Sequence, residues 1–298
     1  MRPGNEKQFG PPERAEDERQ ASALLGSLTT FLAFGATCTA YTDGRRVVRL
    51  ARPNPGKTVR FRVDAGIRRA LREKAVPTPE PLSTGTLPDG RPFSVDAFAR
   101  GDDSGPSAEG WRDLGRALAA LHALPHGAFG LLQDRPDSFA GVASTPAEGL
   151  RSRLQDAWPF GPTELEDHPL VGAAPELASP LLALRDDLEN VTRGRTALCH
   201  TDLHVGQFRW RHGRLAALLD FGDASVGPPA WDVASLALFH GWEVAAQVAE
   251  AAEVPNGRQA ILFGLLLSLH HARRSITLGR PARMTAAVAF ARACLRHL

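Results

Sequence analysis

His200, Asp202 and His204 alternate at the start of HTDLHVGQFRWRHGRLAALLDFGD (residues 200–223), and Asp220 ends the apolar run LAALL near its close. Two chemistries fit these residues. If 200–204 is a strand, alternation gathers His200, Asp202 and His204 on one face as a set of metal ligands, the donors of a metal-dependent hydrolase. Alternatively, Asp202 and Asp220 meet at one end of a hairpin. One carboxylate then orients a hydroxyl while the other holds a metal-bound nucleotide.

Both readings need elements that bring the acids together. QFRWRH and LAALLDF read as strands joined by a turn at Gly213-Arg214. Upstream, SLTTFLAFGATCTAY reads as strand with turns, Thr42-Asp43-Gly44 as a turn and RRVVRL as a short strand. Val63, Ile67, Ala70 and Leu71 fall on one face of a helix expected over Val59 to Lys74. VPTPEP (76–81) breaks it and is extended, and GRPFSVDAF (90–98) turns into a further strand. ARGDDSGPS (99–107) is rich in breakers and marks a linker. Beyond it the pattern is helical: WRDLGRALAALHALP, short helices in a loop-rich 126–180, a helix over 181–194, and three or four helices after Pro229. Strands with one helix, a linker and then mostly helices describe an α+β chain in two lobes with a cleft between them. The expected division is a disordered or loosely packed lead-in (1–20), a β-rich first lobe (21–100) and a larger helical second lobe (101–298).

Composition narrows the function classes. A net charge of +2 argues against a dedicated nucleic-acid binder. Cys38, Cys199 and Cys294 are far apart and odd in number, which argues against a disulfide framework or a thiolate zinc site. The charged start MRPGNEKQFG has no apolar core and is no secretory signal, and ILFGLLLSL (261–269) is too short to span a bilayer. A soluble cytoplasmic protein without membrane or nucleic-acid partners, monomeric or homodimeric, is expected.

Asp202 follows His200 by two residues and precedes Gln207 by five, the frame of a kinase catalytic loop in which an Asp acts as base and a later amide holds metal. At HTDLHVGQ, LLDFGDA and GPPAWD (227–232) the chain resembles the aminoglycoside phosphotransferase family of antibiotic kinases, a branch of the protein-kinase-like fold. That family's signature is a His-Gly-Asp-Leu-His-x-x-Asn loop, an Ile-Asp-Phe/Trp strand and a Gly-Asp-Pro-x-x-Asp helix start. The resemblance extends to VVRLAR (47–52) as the third strand, DAGIRRAL (64–71) as the acid-bearing helix, RPFSVDAFARGDD as the interlobe strand and linker, and LGRALAALHALP as the helix opening the second lobe. It covers roughly residues 28–278, with the motifs in family order.

The resemblance implies transfer of the γ-phosphate of ATP or GTP, with Mg²⁺, to a hydroxyl of a small molecule, an antibiotic above all. Asp202 would be the catalytic carboxylate and Asp220 with Gln207 the metal donors. Arg49 would meet the phosphates, held by Asp64, with Gly35 letting a loop approach them. His200 and Asp232 would support the catalytic loop. Arg49, Asp64 and Gln207 stand where the family favours Lys, Glu and Asn. Arg forks onto phosphates, a shorter acid can face a longer base, and the longer amide strains an octahedral metal site. A catalytically degenerate nucleotide-binding protein is the alternative, with the HTDLH hydrolase behind it. Neither an Ala-Pro-Glu motif nor a long activation segment follows Asp220-Phe221-Gly222, which disfavours a protein kinase. The acids Asp134, Asp137, Glu164, Glu166 and Asp167 in the loop-rich segment could meet a cationic acceptor, although loop acids are usually solvated. Asp103 and Asp223 read as solvated, and Trp210 and Trp231 as packing residues.

Overall fold

The computed structural model describes residues 11–35, 37–53, 58–154, 158–160, 164–255 and 257–298. In chain order the elements are α1 (Pro11–Leu25), β1 (Thr30–Phe34), β2 (Cys38–Thr42), β3 (Arg46–Ala51), α2 (Phe61–Glu73), β4 (Pro81–Thr86), β5 (Pro92–Ala97), α3 (Ala108–His122), β6 (Phe129–Leu132), β7 (Gly141–Ala143), α4 (Pro146–Leu154), α5 (Pro169–Ala173), α6 (Ala178–Ala183), α7 (Arg185–Glu189), β8 (Ala197–Cys199), β9 (Phe208–Arg211), β10 (Arg214–Leu218), β11 (Ser225–Gly227), α8 (Ala230–His240), α9 (Trp242–Ala251), α10 (Arg258–Thr277) and α11 (Pro281–Arg296). The first lobe is an antiparallel five-stranded sheet in the order β1-β2-β3-β5-β4. The second is helical, with the β9–β10 hairpin and a small sheet ordered β7-β6-β11-β8.

Alternation along β3 and β5 gives the five-stranded sheet two unlike faces. Val48, Leu50 and Val95 are buried with Ala21 and Leu25 of α1, while Arg49, Ser94 and Asp96 point the other way, towards α2. Residues 11–20, expected within a loosely packed lead-in, are therefore helical. Asp17, Ala21 and Leu25, one turn apart, form the buried face of α1, and Asp17 pairs with Arg91 at 2.9 Å and accepts from Thr39 Oγ1 at 3.0 Å. Without α1 the apolar face of the sheet would lie open to water. Residues 1–10 of the expected lead-in lie outside the described residues.

Helix α2 is buried on two sides. Val63, Ile67 and Leu71 join the large core of the second lobe, while Asp64 and Arg68 face the sheet. Its first turn is capped from afar: Asp134 Oδ1 accepts the N–H groups of Arg62 at 2.8 Å and Val63 at 2.9 Å. Asp134 is thus a structural cap rather than a solvated loop acid. Gly66 packs so closely that an added Cβ would lie 2.0 Å from the Pro136 carbonyl oxygen.

The helix expected over 181–194 is two short helices, α6 and α7, and the strand expected to run through Asp220 stops at Leu218. No helix among the described residues is long and apolar enough to cross a membrane. Asp134→Ala should cost about 0.5–2 kcal/mol of stability through loss of the cap, measured by denaturant unfolding.

Candidate active site

Residues 200–204 leave β8 as irregular backbone, not as a strand. Thr201 sits at φ +64° and Asp220 at φ +58°. A left-handed backbone is costly for a β-branched residue, so the loop needs external support. Asp232, fully buried at the start of α8, provides it. Its Oδ2 accepts the His200 N–H at 3.1 Å and its Oδ1 the Thr201 N–H at 2.7 Å, and Oδ2 lies 2.9 Å from His122 Nε2. Ser235 Oγ accepts the Leu203 N–H at 2.9 Å, and Thr201 Oγ1 donates to the Asp223 carbonyl at 2.8 Å.

His200 is fully buried, and its ring joins the loop to the segment before Asp220. Nε2 donates to the Leu219 carbonyl at 2.8 Å, while Nδ1 faces the Asp202 N–H at 3.4 Å. Neither nitrogen is left for a metal, so the three-ligand face proposed for His200, Asp202 and His204 does not form. His122, Cys199 and Asp232 do converge in the core, but the Asp232 oxygens are already engaged by the loop.

Asp202 and Asp220 open into a cleft between the two lobes. Arg49, Asp64, Phe61, Thr37 and Cys38 line its first-lobe side, and Gly222 and Asp223 accompany the two acids. Gly35 lies in the turn beyond β1 with its N–H on the Cys38 carbonyl at 2.8 Å, outside the lining, and a Cβ there would meet nothing closer than 3.9 Å. Lys57 falls outside the described residues.

Arg49 reaches the cleft from β3. It donates from Nε to Ser94 Oγ at 2.9 Å, pairs with Asp64, and lies 3.2 Å from Asp96. Its guanidinium stacks 4.9 Å from the Phe61 ring centroid, and Nη1 is 4.0 Å from Asp220 Oδ1. Asp64 also takes Arg68 Nη2 at 2.9 Å and the Phe221 N–H at 2.8 Å, and Arg68 bonds Asp96 at 2.7 Å. Burial alone would push the Asp64 carboxyl up. Arg49 and Arg68, with the Phe221 N–H, outweigh it and hold the group well below the usual range. Ser94, Asp96 and Arg68 carry no motif that marks them in the sequence, but alternation with Val95 and the one-turn step from Asp64 place them on this face.

The Asp220 side chain is 56% exposed. Enclosure in the cleft raises its carboxyl, Arg49 opposes this, and the charges of Asp64, Asp223 and Asp202 add to the rise. Asp223 lines the same mouth with its carboxylate 3.7 Å from Arg153, so it is not simply solvated. Enclosure also pushes the Cys38 thiol up to about 11, which keeps it protonated and unreactive.

Gln207 is buried. His204 Nδ1 accepts the Gly206 N–H at 3.0 Å, and its Nε2 lies 3.1 Å from the Gln207 amide nitrogen. The hard carboxylate oxygens of Asp220, with Asp202 and Asp223 at the same mouth, fit Mg²⁺. Gln207 meets His204 through its amide nitrogen, which leaves the amide oxygen as a hard donor for the same ion.

Because the folded Asp64 pKa lies below its unfolded value, its ion pairs contribute stability above pH of about 4 and lose it as the pH falls towards the folded value. Wild type should therefore lose stability more steeply than Asp64→Asn below pH of about 4, read by denaturant titration at several pH values.

The model of the phosphotransferase enzyme family matches residues 38–264. No curated protein matches the chain in sequence. Among solved structures, aminoglycoside phosphotransferase APH(4)-Ia superposes with a TM-score of 0.70 at 18% identity, covering 95% of this chain and 99% of that one. Aminoglycoside 2'-phosphotransferase-IIIa, solved with GDP, gives 0.62 at 16%, covering 96% and 98%. Macrolide 2'-phosphotransferase from Brachybacterium faecium gives 0.58 at 18%, covering 94% and 98%. At such identities the likeness establishes the two-lobed protein-kinase-like fold alone, while the sequence match spans the cleft from β2 into α10. By that match, the chain belongs to the phosphotransferase enzyme family.

Proposed function

We propose that the protein transfers the γ-phosphoryl group of ATP or GTP to a hydroxyl of a small molecule in a Mg²⁺-dependent reaction. The observation that carries this reading is the convergence of Asp202, Asp220 and the Arg49–Asp64 pair on one interlobe cleft. Residues 21–100 would then bind nucleotide, and residues 101–298 would supply catalysis and the acceptor pocket. Similar folds bind ADP with hygromycin B in one case and GDP in another, which supports a nucleotide donor and an antibiotic as acceptor class.

Arg49 would offer the phosphates the guanidinium donors that Asp64, Asp96 and Ser94 leave free, and its planar fork suits them. Asp202 would accept the hydroxyl proton as the acceptor oxygen bonds to the γ-phosphorus. The bond from that phosphorus to its bridging oxygen breaks, and ADP or GDP leaves. Asp220 and the Gln207 amide oxygen would hold Mg²⁺, which supplies neutralisation of phosphate charge when bound. His200 and Asp232 act as supports for Asp202.

Asp202→Asn should keep Mg·ATP affinity in calorimetric titration yet lose at least about a hundredfold in transfer rate. Near-normal transfer removes Asp202 from the mechanism, whereas lost nucleotide binding in a folded variant exchanges its role with that of Asp220. Asp220→Ala should abolish turnover, while Gln207→Asn should keep substantial activity with an altered Mg²⁺ dependence. If wild type binds Mg·ATP but phosphorylates nothing in a broad acceptor screen followed by product mass spectrometry, the chain is the non-catalytic alternative.

A further inference from the structure

Arg49 and Arg60 are the cationic side chains that line the cleft among the described residues. Arg49 is largely committed. Its Nε goes to Ser94, its Nη2 meets Asp64 and Asp96, and its Nη1 faces Asp220 at 4.0 Å. Arg60, the half-buried residue before α2, is committed only to backbone. Its Nε donates to the Leu132 carbonyl at 3.0 Å and its Nη1 to the Thr58 carbonyl at 3.3 Å. Among the described residues no carboxylate lies within ion-pair distance of Arg60, and its Nη2 has no acceptor.

Hydrogen bonds fix where Arg60 stands. Leu132, which receives its Nε, donates its own N–H to the Ala224 carbonyl at 3.2 Å. Ala224 follows Asp223, whose carbonyl accepts from Thr201 Oγ1 at 2.8 Å, and Thr201 precedes Asp202. Arg60 is thus tied to the segment that supports the catalytic loop, on the Asp202 side of the cleft. Arg49 stands on the Asp220 side, with the ring of Phe61, the residue after Arg60, 4.9 Å from its guanidinium. Tying α2 to β6 would be a sufficient role for Nε, but it leaves the Nη2 edge unused. A half-buried cation with open donors and no counter-ion suits an anion that arrives in the cleft.

Resting on the phosphotransferase reading, we infer that Arg60 is a second phosphate-binding arginine, which takes the γ-phosphate of the donor while Arg49 meets the phosphates nearer the nucleoside. The γ-phosphorus must come within reach of the hydroxyl that Asp202 orients, so the terminal phosphate lies towards Asp202, where Arg60 stands. As the phosphoryl group moves, charge spreads over its oxygens, and donors already held in place stabilise it.

The test is equilibrium binding to the full chain of two Mg²⁺-bound ligands: the diphosphate that wild type binds, ADP or GDP, and the matching non-hydrolysable triphosphate. Arg60→Gln removes the charge and the fork. It should weaken the triphosphate at least about tenfold and leave the diphosphate unchanged. Arg60→Lys keeps the charge without the fork and should fall between wild type and Arg60→Gln. The ratio of the two affinities is the readout, because loss of the tie to β6 alone would weaken both ligands together. A wild-type ratio in Arg60→Gln, or equal loss on both ligands, overturns the inference. Should the glutamine variant fail to fold, a wild-type ratio in Arg60→Lys overturns it instead. Wild type that binds neither nucleotide sinks the phosphotransferase reading and this inference with it. A shifted ratio in a chain that phosphorylates no acceptor leaves the Arg60 contact standing and removes only the transfer step.

Discussion

Asp64 is a carboxylate with no exposed surface, and four segments of the chain are arranged to keep it ionised. Removing a charge from water costs roughly several kcal/mol even after relaxation, so each partner matters. Arg49 comes from β3 and Arg68 from the next turn of α2. Asp96 on β5 satisfies both arginines, so two cations and two anions balance inside the protein. The remaining Asp64 oxygen takes the Phe221 N–H. That last bond matters for chemistry, because Phe221 follows Asp220. The condition that keeps Asp64 charged also fixes where Asp220 opens into the cleft.

The backbone at the site is strained at two points, Thr201 and Asp220, and both are held by bonds from neighbouring segments. Asp232 and the Asp223 carbonyl hold the loop at Thr201, while Asp64 holds the residue after Asp220. Such conformations persist only where surrounding structure over-determines them. The cost is borne by Asp232 on α8 and Asp64 on α2, which leaves the Asp202 and Asp220 carboxylates available for ligands.

What was legible in the sequence was local. The five-residue interval from Asp202 to Gln207, the acid closing an apolar run, and the Val63–Ile67–Leu71 spacing each lie within one element or one hairpin. Pairings across the chain leave no such mark. Asp134 looks like any loop acid until α2 arrives above it, and Ser94 and Asp96 look like ordinary strand polar residues. Helix α1 was hidden because its buried face begins with a charge, Asp17, whose partner Arg91 lies far along the chain. Strands β8 and β11 are three residues long and wholly buried, too short and too uniform for alternation to show. Spacing brought Gln207 beside the catalytic loop but could not show that its amide faces His204.

The sheet rests on α2 through charges, whereas α2 itself is sealed into the opposite lobe by Val63, Ile67, Leu71, the Asp134 cap and the close passage of Gly66 under Pro136. Swinging this helix outward would bare an apolar stripe, two amide hydrogens and a buried anion all at once. A partner or a modification that released the helix would have to meet all of those costs together.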